Sequence, residues 1–311
     1  MIRIPNKDIL SNKKAFLEDV LERFIDFLVE KNNSDPSNYS IFFNYFSDDG
    51  TSISKEKLSN LICGDINELK KITNDLESLY SKSGQNFKES VLELTYLYDK
   101  FSTRKIAYTW PDTIGVRVCP YCNRNYVFSI PRKRVRPEYD HYFPKSLYPH
   151  LCVSMFNLIP SCGMCNRFKS DDDPVAERII YPFSEGFDND VVFEATVKGN
   201  NISDLLDLNK KLSVEMKCSN PSTLIYSLDY SERVFRLPDL YKKHSDVAED
   251  IRKLSLIYTK DYIDSLIGNY SWLNNSHDTL DILYLNKLDK KDWIKRPLSK
   301  FTHDLIKQFQ R

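Results

Sequence analysis

The sequence has no long apolar run, and none of its stretches approaches the roughly 20 residues that a membrane-spanning helix needs. The opening residues Met1-Ile-Arg-Ile-Pro-Asn-Lys are not followed by an apolar stretch, so we expect no secretory signal. An excess of either charge is also missing, because 44 Lys and Arg residues balance 44 Asp and Glu residues. We therefore expect a cytoplasmic protein with no membrane partner. The zero net charge argues at first against a protein that binds nucleic acid.

The seven cysteines are an odd number, which is not typical of a disulfide framework and fits a reducing compartment. Four of them form two Cys-x-x-Cys pairs, Cys119-Pro-Tyr-Cys122 and Cys162-Gly-Met-Cys165. Each pair can bind a metal from one turn, and two converging pairs complete the tetrahedron of thiolates that Zn²⁺ prefers. We therefore predict a structural zinc site at these four cysteines. The remaining cysteines are predicted to be buried, small apolar side chains: Cys63, Cys152 and Cys218.

The first pair has a second interpretation. Cys119-Pro-Tyr-Cys122 is also the active-site tetrapeptide of glutaredoxin-like oxidoreductases, in which an exposed thiol opens a helix after a strand. That interpretation requires a βαβ context, whereas residues 123–130 look like a strand. It also leaves the second cysteine pair unexplained, so the sequence favours zinc.

Three short segments around the cysteine pairs carry a recognisable set of residues. They read Asp140-His141-Tyr-Phe-Pro144-Lys145-Ser146, then Asn157-Leu-Ile-Pro160, then Cys165-Asn166-Arg167-Phe168-Lys169-Ser170-Asp171. Residues 117–171, which contain them, resemble the HNH branch of the ββα-metal (His-Me finger) nucleases. In that family a strand ends in Asp-His, a second short strand begins with Asn, and a helix carries a His or Asn that faces the Asp. The third position here is Asn166, a known variant of the pattern.

The resemblance implies a role for each motif residue. Hydrolysis of a phosphodiester needs a base that accepts a proton from water at neutral pH, and His141 is the candidate. Asp140 and Asn166 would hold a hard divalent cation, Mg²⁺ or Mn²⁺, through oxygen ligands. Asn157 is not a ligand in the family, and its amide would fix the loop that positions His141. These four residues are the candidate catalytic set.

Basic residues concentrate in the same part of the chain. Between Arg117 and Lys169 there are nine basic residues and two acidic ones, so this segment is net +7 and the remainder is net −7. The run Arg132-Lys-Arg-Val-Arg136 directly precedes the Asp-His pair. A water-solvated basic turn is the alternative interpretation of such a run. The candidate contacts to nucleic-acid phosphates are Arg124, Arg132, Arg134, Lys145, Arg167 and Lys169.

The other histidines lack a metal-ligand partner at helical or hairpin spacing, so we expect surface or packing roles for His150, His244, His277 and His303. His150 lies inside the predicted loop of the motif and is a minor candidate for a substrate contact.

Apolar periodicity predicts a mainly helical chain around the motif. The predicted helices cover residues 13–31, 66–79, 87–101 and 238–267, the strands 191–197 and 212–216, and the loops 32–40 and 47–56. We predict an α+β fold in which a small zinc-stapled ββα-metal HNH finger is embedded in a mainly α-helical protein. The predicted division is a helical domain at 1–110, the HNH module with its zinc site at 111–185, and a mainly helical region with a β-hairpin at 186–311.

A downstream segment extends the resemblance. Phe235-Arg-Leu-Pro-Asp-Leu-Tyr241-Lys-Lys-His244 is similar to the corresponding part of bacterial HNH proteins encoded beside ATPases in antiphage systems, including Septu-like and retron-linked ones. The resemblance implies a metal-dependent endonuclease that acts on nucleic acid, with DNA favoured over RNA, and an ATPase partner from the same operon. The alternatives are an RNase with the same centre, for example one directed at tRNA, and a catalytically inactive zinc module that binds nucleic acid or protein.

Overall fold

The computed structural model describes residues 1–5, 9–197, 199, 207–218, 225–269 and 287–310. The α-helices in these ranges are α1 Ile9–Ser34, α2 Pro36–Phe46, α3 Lys55–Cys63, α4 Ile66–Lys82, α5 Phe87–Ser90, α6 Thr95–Ser102, α7 Lys105–Thr113, α8 Gly163–Lys169, α9 Pro174–Glu177, α10 Ile225–Val234, α11 Leu237–Lys242, α12 Ser245–Ile257, α13 Lys260–Asn269 and α14 Ser299–Phe309. The strands form two antiparallel pairs, β1 (Glu138–His141) with β2 (Leu158–Ser161) and β3 (Val191–Val197) with β4 (Leu212–Cys218). The fold is therefore mainly helical and of the α+β class, as predicted.

Contacts divide the chain into two compact units. Unit A comprises Ile4–Arg117 and Val127–Glu177, and unit B comprises Met1–Arg3, Val118–Tyr126 and Arg178–Arg311. Unit A contains α1 to α9 with β1 and β2, and unit B contains the later helices with β3 and β4. Within the described ranges, no helix has both the length and the apolar character that crossing a bilayer requires.

Helix α1 organises the core of unit A. Its buried face includes Phe16 and Phe24, which are both fully buried. The Phe16 ring lies 5.5 Å from that of Phe101 and 5.2 Å from that of Trp110, measured between ring centroids. Arg104 donates two hydrogen bonds to the carboxylate of Asp19 and so ties α1 to the start of α7.

Two helices of unit A meet where the sequence predicts a loop. Helix α1 continues to Ser34 and α2 begins at Pro36, so the predicted loop at 32–40 is wrong. The polar residues that indicated a loop instead form a turn between helices. Ser37 Oγ and Asn38 Nδ2 donate to the carboxylate of Asp35 at 2.6 Å and 2.8 Å. Such residues favour helix starts as much as loops, which explains the error.

The other predicted elements are confirmed in part. The helices at 13–31 and 66–79 and the strands at 191–197 and 212–216 are confirmed. The helix predicted at 87–101 is broken into α5, a 3₁₀ turn and α6. The single helix predicted at 238–267 is also wrong, because non-helical backbone at His244 and Tyr258 divides it into α11, α12 and α13.

The strand predicted at 123–130 is wrong as well. Asn123 has a left-handed backbone with φ 50°, and the segment makes only isolated bridges, Val118 with Tyr126 and Ile130 with Val135. A left-handed residue redirects the chain and so prevents a continuous strand from starting there.

In unit B, helix α14 packs against strand β3. Gln308 donates to the carbonyl of Ala195 at 2.8 Å and accepts from its N–H at 2.9 Å. Phe193 contacts Tyr241, with 4.2 Å between ring centroids. At the end of β4, Cys218 is exposed, so its predicted burial is wrong, whereas Cys63 and Cys152 are buried as predicted.

His150 belongs to the core of unit A and is fully buried, which excludes the substrate contact considered for it. Its Nε2 lies 2.8 Å from Thr73 Oγ1, and that hydroxyl donates to the Leu69 carbonyl at 2.9 Å. The hydroxyl must therefore accept from Nε2–H, and Nδ1 is buried without a hydrogen-bond partner among the residues that the structure describes. Burial lowers the pKa of His150 to about 3.

We expect His150 to make folding sensitive to acid. The unfolded chain takes up a proton below the ordinary pKa of roughly 6.5, while the folded chain resists protonation down to about pH 3, so stability falls as the pH drops through this window. Replacing His150→Gln should reduce the loss of unfolding free energy between about pH 7 and about pH 5 by ~2 kcal/mol. Urea unfolding of both proteins at both pH values measures this loss of unfolding free energy.

Thr73→Val is the matched control for this experiment. It removes the hydrogen-bond partner and keeps the titrating ring, so it should lower stability at both pH values and retain the pH dependence. Equal pH dependence in wild type and His150→Gln would contradict the prediction.

Candidate active site and cysteine cluster

The candidate active site is built on β1, β2 and α8 of unit A. The two strands pair antiparallel, with Asp140 opposite Ile159 and His141 opposite Leu158. Asn157 immediately precedes β2, and Asn166 lies on the helix that follows it. The order of strand, loop, strand and helix is the order that the sequence resemblance implies for residues 138–169.

A cavity of about 470 Å³ opens beside these elements. It is lined by Tyr98, Arg136, Glu138, Tyr139, Asp140, His141, Pro144, Lys145, Asn166, Arg167, Ser170 and Asp171. Five predicted site residues therefore line one space. Three carboxylates and three basic side chains share this lining, a combination that can bind both a metal cation and an anionic substrate group.

His141 is held in one orientation at the wall of the cavity. Its Nε2 lies 3.0 Å from the carbonyl oxygen of Cys152, and because a carbonyl only accepts, Nε2 carries the ring proton. Tyr98 packs edge-on against the ring, with 4.4 Å between centroids. Burial lowers the pKa of His141 to about 3, and the nearby cations Lys145 and Lys169 also lower it. The ring is therefore neutral at neutral pH, and Nδ1 has the lone pair.

Asn157 is fully buried and brackets the loop between β1 and β2. Its Oδ1 accepts from the N–H of Phe143 at 2.7 Å, and its Nδ2 donates to the carbonyls of Phe143 at 3.1 Å and Leu151 at 2.9 Å. These bonds fix the backbone directly after His141 and close to Cys152, whose carbonyl holds the imidazole. Asn157 thus acts on the loop and is not part of the cavity lining.

The phosphate contact predicted for Lys169 is wrong. A phosphate contact needs an exposed ammonium group, but the Lys169 side chain is fully buried. Its Nζ lies 3.2 Å from Asp140 Oδ1 and donates to the His141 carbonyl at 2.8 Å. Lys169 therefore joins α8 to the end of β1 and neutralises a buried carboxylate.

The Asn166 side chain is hydrogen-bonded to Glu138. Asn166 Nδ2 donates to Glu138 Oε2 at 2.8 Å, which leaves the amide oxygen as the group of this side chain available to a cation. Glu138 lies two residues before Asp140 on β1 and lines the same cavity.

The other predicted phosphate contacts lie in different places. Lys145 and Arg167 line the cavity, and the Lys145 ammonium sits 5.1 Å from the centroid of the Tyr98 ring. Arg132 and Arg134 are exposed on the segment before β1. Arg124 belongs to unit B, where its Nε donates to His244 Nε2 at 2.8 Å and its side chain is half-buried. His277 lies outside the described residues.

Seven of the twelve lining residues are not among the predicted site residues, and three of them make contacts that bear on the site: Tyr98, Arg136 and Glu138. Glu138 and Arg136 were counted only as charges, although alternation along β1 places Glu138 on the same face as Asp140 and could have identified it. Arg136 is fixed by hydrogen bonds to the carbonyls of Ser102 at 3.1 Å and Pro137 at 2.9 Å. Tyr98 comes from α6, about forty residues earlier in the chain, and no local pattern marks it.

Four cysteine sulfurs form a separate cluster. The Sγ atoms of Cys119, Cys122, Cys162 and Cys165 all lie within 4.8 Å of one another, and all but the half-buried Cys162 are buried. A tetrahedral ion with metal–sulfur bonds of about 2.3 Å requires sulfurs about 3.8 Å apart, which this cluster accommodates. The four side chains are therefore positioned to bind a metal ion.

The turn at the first cysteine pair is fixed from within unit B. Asn123, directly after Cys122, donates its N–H to the Cys119 carbonyl at 2.8 Å and its Nδ2 to the Trp293 carbonyl at 3.0 Å. Tyr241 donates its hydroxyl to the Cys122 carbonyl at 2.8 Å. No α-helix begins at Cys119 and both thiols are buried, which contradicts the oxidoreductase interpretation.

Comparison with known proteins gives one informative similarity. A segment of 79 residues is 37% identical to the Septu protein PtuB of Bacillus thuringiensis, and the match covers 24% of this chain and 31% of that protein. The matched region thus spans about a third of the length of this curated relative. No protein-family model matches the chain. No solved structure matches it either. The Septu-like resemblance is therefore supported for part of the chain.

We expect the Lys169–Asp140 pair to contribute to folding as well as to the site. Lys169→Met leaves the Asp140 carboxylate buried without its cation, and should lower the free energy of unfolding by ~3–5 kcal/mol. Adding Asp140→Asn removes that charge, so the double variant should be more stable than Lys169→Met alone. Urea unfolding of the two single variants and the double variant gives the coupling energy.

Lys145→Met is the matched control, since it removes a half-buried lysine from the cavity wall and should change stability by less than about 1 kcal/mol. Additive effects of Lys169→Met and Asp140→Asn would show that the pair is not energetically coupled.

Proposed function

We propose that this chain is a metal-dependent HNH endonuclease, with residues 138–169 as its ββα-metal finger. One observation carries the proposal: Asp140, His141 and Asn166 line the same cavity, next to Arg136, Lys145 and Arg167. A base, oxygen ligands and cations within one space are the groups that phosphodiester hydrolysis requires.

His141 is proposed as the general base. Its Nε2–H is committed to the Cys152 carbonyl, so the neutral ring presents Nδ1 as the proton acceptor for a water molecule. Tyr98 and the loop bracketed by Asn157 limit rotation of the ring. A base held in this way loses little freedom when the substrate arrives.

Asp140 and Asn166 would hold Mg²⁺ or Mn²⁺, because both offer oxygen atoms and hard cations prefer oxygen ligands. When bound, the ion would neutralise charge on the phosphate and stabilise the departing oxygen. Lys169 pairs with the Asp140 carboxylate and orients it, and Glu138 accepts a hydrogen bond from the Asn166 amide nitrogen, so the amide oxygen is the atom left for the ion. Arg136, Lys145 and Arg167 would bind the phosphate oxygens and position the scissile bond.

The four-cysteine cluster is proposed to hold a structural Zn²⁺. All donors are sulfur and the set is complete at four, which is typical of a closed structural site and leaves no open position for substrate. The division of the chain at residues 110 and 185 stays a prediction.

The biological role proposed is that of the nuclease in a bacterial antiphage defence system. The similarity to the Septu protein PtuB supports it. An ATPase encoded in the same operon is the proposed protein partner. DNA is the proposed substrate, and the assay described below also tests RNA.

We expect zinc to remain bound through extensive dialysis, at about one ion per chain, because thiolates bind it far more tightly than oxygen ligands bind Mg²⁺. Cys162→Ser and Cys165→Ser should each lose zinc and lower the melting temperature. Cys152→Ala, which removes a buried thiol outside the cluster, should keep its zinc. Elemental analysis and thermal melting measure both effects. A zinc-free protein with unchanged melting in the serine variants would contradict the structural site.

We expect nicking of supercoiled plasmid by the wild-type chain with Mg²⁺, alone or with the product of a neighbouring ATPase gene. EDTA should stop it, and His141→Ala should slow it by about 10²–10⁴-fold through loss of the base. His150→Gln is the matched control, since this histidine is buried away from the cavity lining and its variant should still cut.

Single-stranded DNA and total RNA in parallel reactions identify the substrate. If wild type and His141→Ala behave alike on all three substrates, with and without the partner, the chain is not a nuclease of this type. An inactive zinc module is then the better description.

A further inference from the structure

Residues 128–135, called here the basic hairpin, form a fixed turn immediately before β1. Ile130 and Val135 exchange two backbone hydrogen bonds, at 2.8 Å and 3.3 Å. Between them Pro131–Lys133 make a single 3₁₀ turn, and Arg134 closes it with a left-handed backbone at φ 54°. Reciprocal bonds of this kind hold the two arms in register.

One face of the basic hairpin is apolar and open to solvent. Phe128, Ile130 and Val135 are 51%, 49% and 47% exposed. Ile130 is directly opposite Val135, so these two side chains share a face, and Phe128 lies two residues before Ile130 on the same arm. Several large apolar side chains exposed together are typical of a binding surface.

The tip of the basic hairpin is positively charged. Arg132 and Arg134 are both exposed, and in the part of the chain that the structure describes neither guanidinium takes part in an ion pair. An unneutralised pair of arginines beside an apolar face is complementary to a polyanion that also offers apolar surface. Nucleic acid has both, in its phosphates and in its bases.

The basic hairpin continues directly into the candidate active site. Its second arm leads to Arg136, which lines the cavity and stacks on Tyr139 at 5.4 Å from the ring centroid, and then to Glu138 on β1. Arg134 and Arg136 are two residues apart, so a strand held at the tip lies within one or two nucleotides of the cavity wall.

We propose that the basic hairpin is a second nucleic-acid contact that selects unstacked bases next to the cleavage site; this rests on the proposed nuclease function. Arg132 and Arg134 bind the backbone. Phe128, Ile130 and Val135 pack against bases, whose faces are accessible only where stacking is broken, as at a bulge, a junction or a single strand.

Binding assays separate the two halves of this surface. Fluorescence anisotropy is measured in the His141→Ala background without added Mg²⁺, so that cleavage plays no part. The probes are a labelled duplex and the same duplex with a bulge of unpaired bases. The double variant Arg132→Ala with Arg134→Ala should weaken binding of both probes. It should also reduce the slope of log K against log salt concentration by about 2.

Removal of the apolar face should have a different effect. Phe128→Ser, Ile130→Thr and Val135→Thr combined should weaken binding of the bulged probe by about 10-fold, and leave the plain duplex within about 2-fold. The controls are Lys70→Ala with Lys71→Ala for the charges, and Leu79→Ser with Leu92→Ser for the apolar groups. These control residues are exposed and lie on or near other helices of unit A. Circular dichroism verifies that each variant is folded.

The outcomes distinguish this inference from the proposed function. If the hairpin variants bind both probes as their controls do, and the wild-type chain cuts nucleic acid, only the proposed role of the basic hairpin is overturned. Wild-type chain that neither binds nor cuts any nucleic acid overturns both. Hairpin variants that bind nucleic acid normally but lose a protein partner also overturn it, in favour of a protein-docking surface.

Discussion

The contact of Lys169 with Asp140 is the interaction on which the candidate site depends. A buried ammonium holds a buried carboxylate at 3.2 Å and the carbonyl of the next residue at 2.8 Å, so helix α8 and strand β1 cannot move independently. The contact also makes a buried negative charge tolerable, since an isolated one would be far more costly. Asn166 on the same helix and His141 on the same strand are positioned together by this contact, and the hydrogen bond from Asn166 to Glu138 joins the same two elements.

The local part of the site could be predicted from the sequence. The Asp-His pair, the Asn before the second strand and the short helix lie within 30 residues, and the resemblance to HNH sequences implies their order, which matches β1, β2 and α8. The cysteine cluster was predictable for the same reason, because each Cys-x-x-Cys pair forms in one turn. Short-range patterns report local geometry well.

Features that depend on distant packing could not be predicted. Nothing near Lys169 in the sequence indicates burial, since a lysine on a short helix is usually exposed. The Tyr98 ring that packs against His141 belongs to α6, which is distant from β1 in the sequence. The helix also breaks at His244 and Tyr258, although the apolar stripe continues past both residues. Near the first break, Tyr241 packs on Phe193, a residue distant in the sequence, and periodicity carries no information on such contacts.

The bond from His141 to the Cys152 carbonyl has a consequence for the path of protons. Since Nε2 is already protonated and bonded to backbone, the imidazole cannot act as a two-ended relay into the protein interior. In the nuclease mechanism proposed above, a proton gained at Nδ1 would have to leave through the same nitrogen. Regeneration of the proposed base would then be tied to water exchange at the cavity, and a substrate that seals the opening would slow its own turnover.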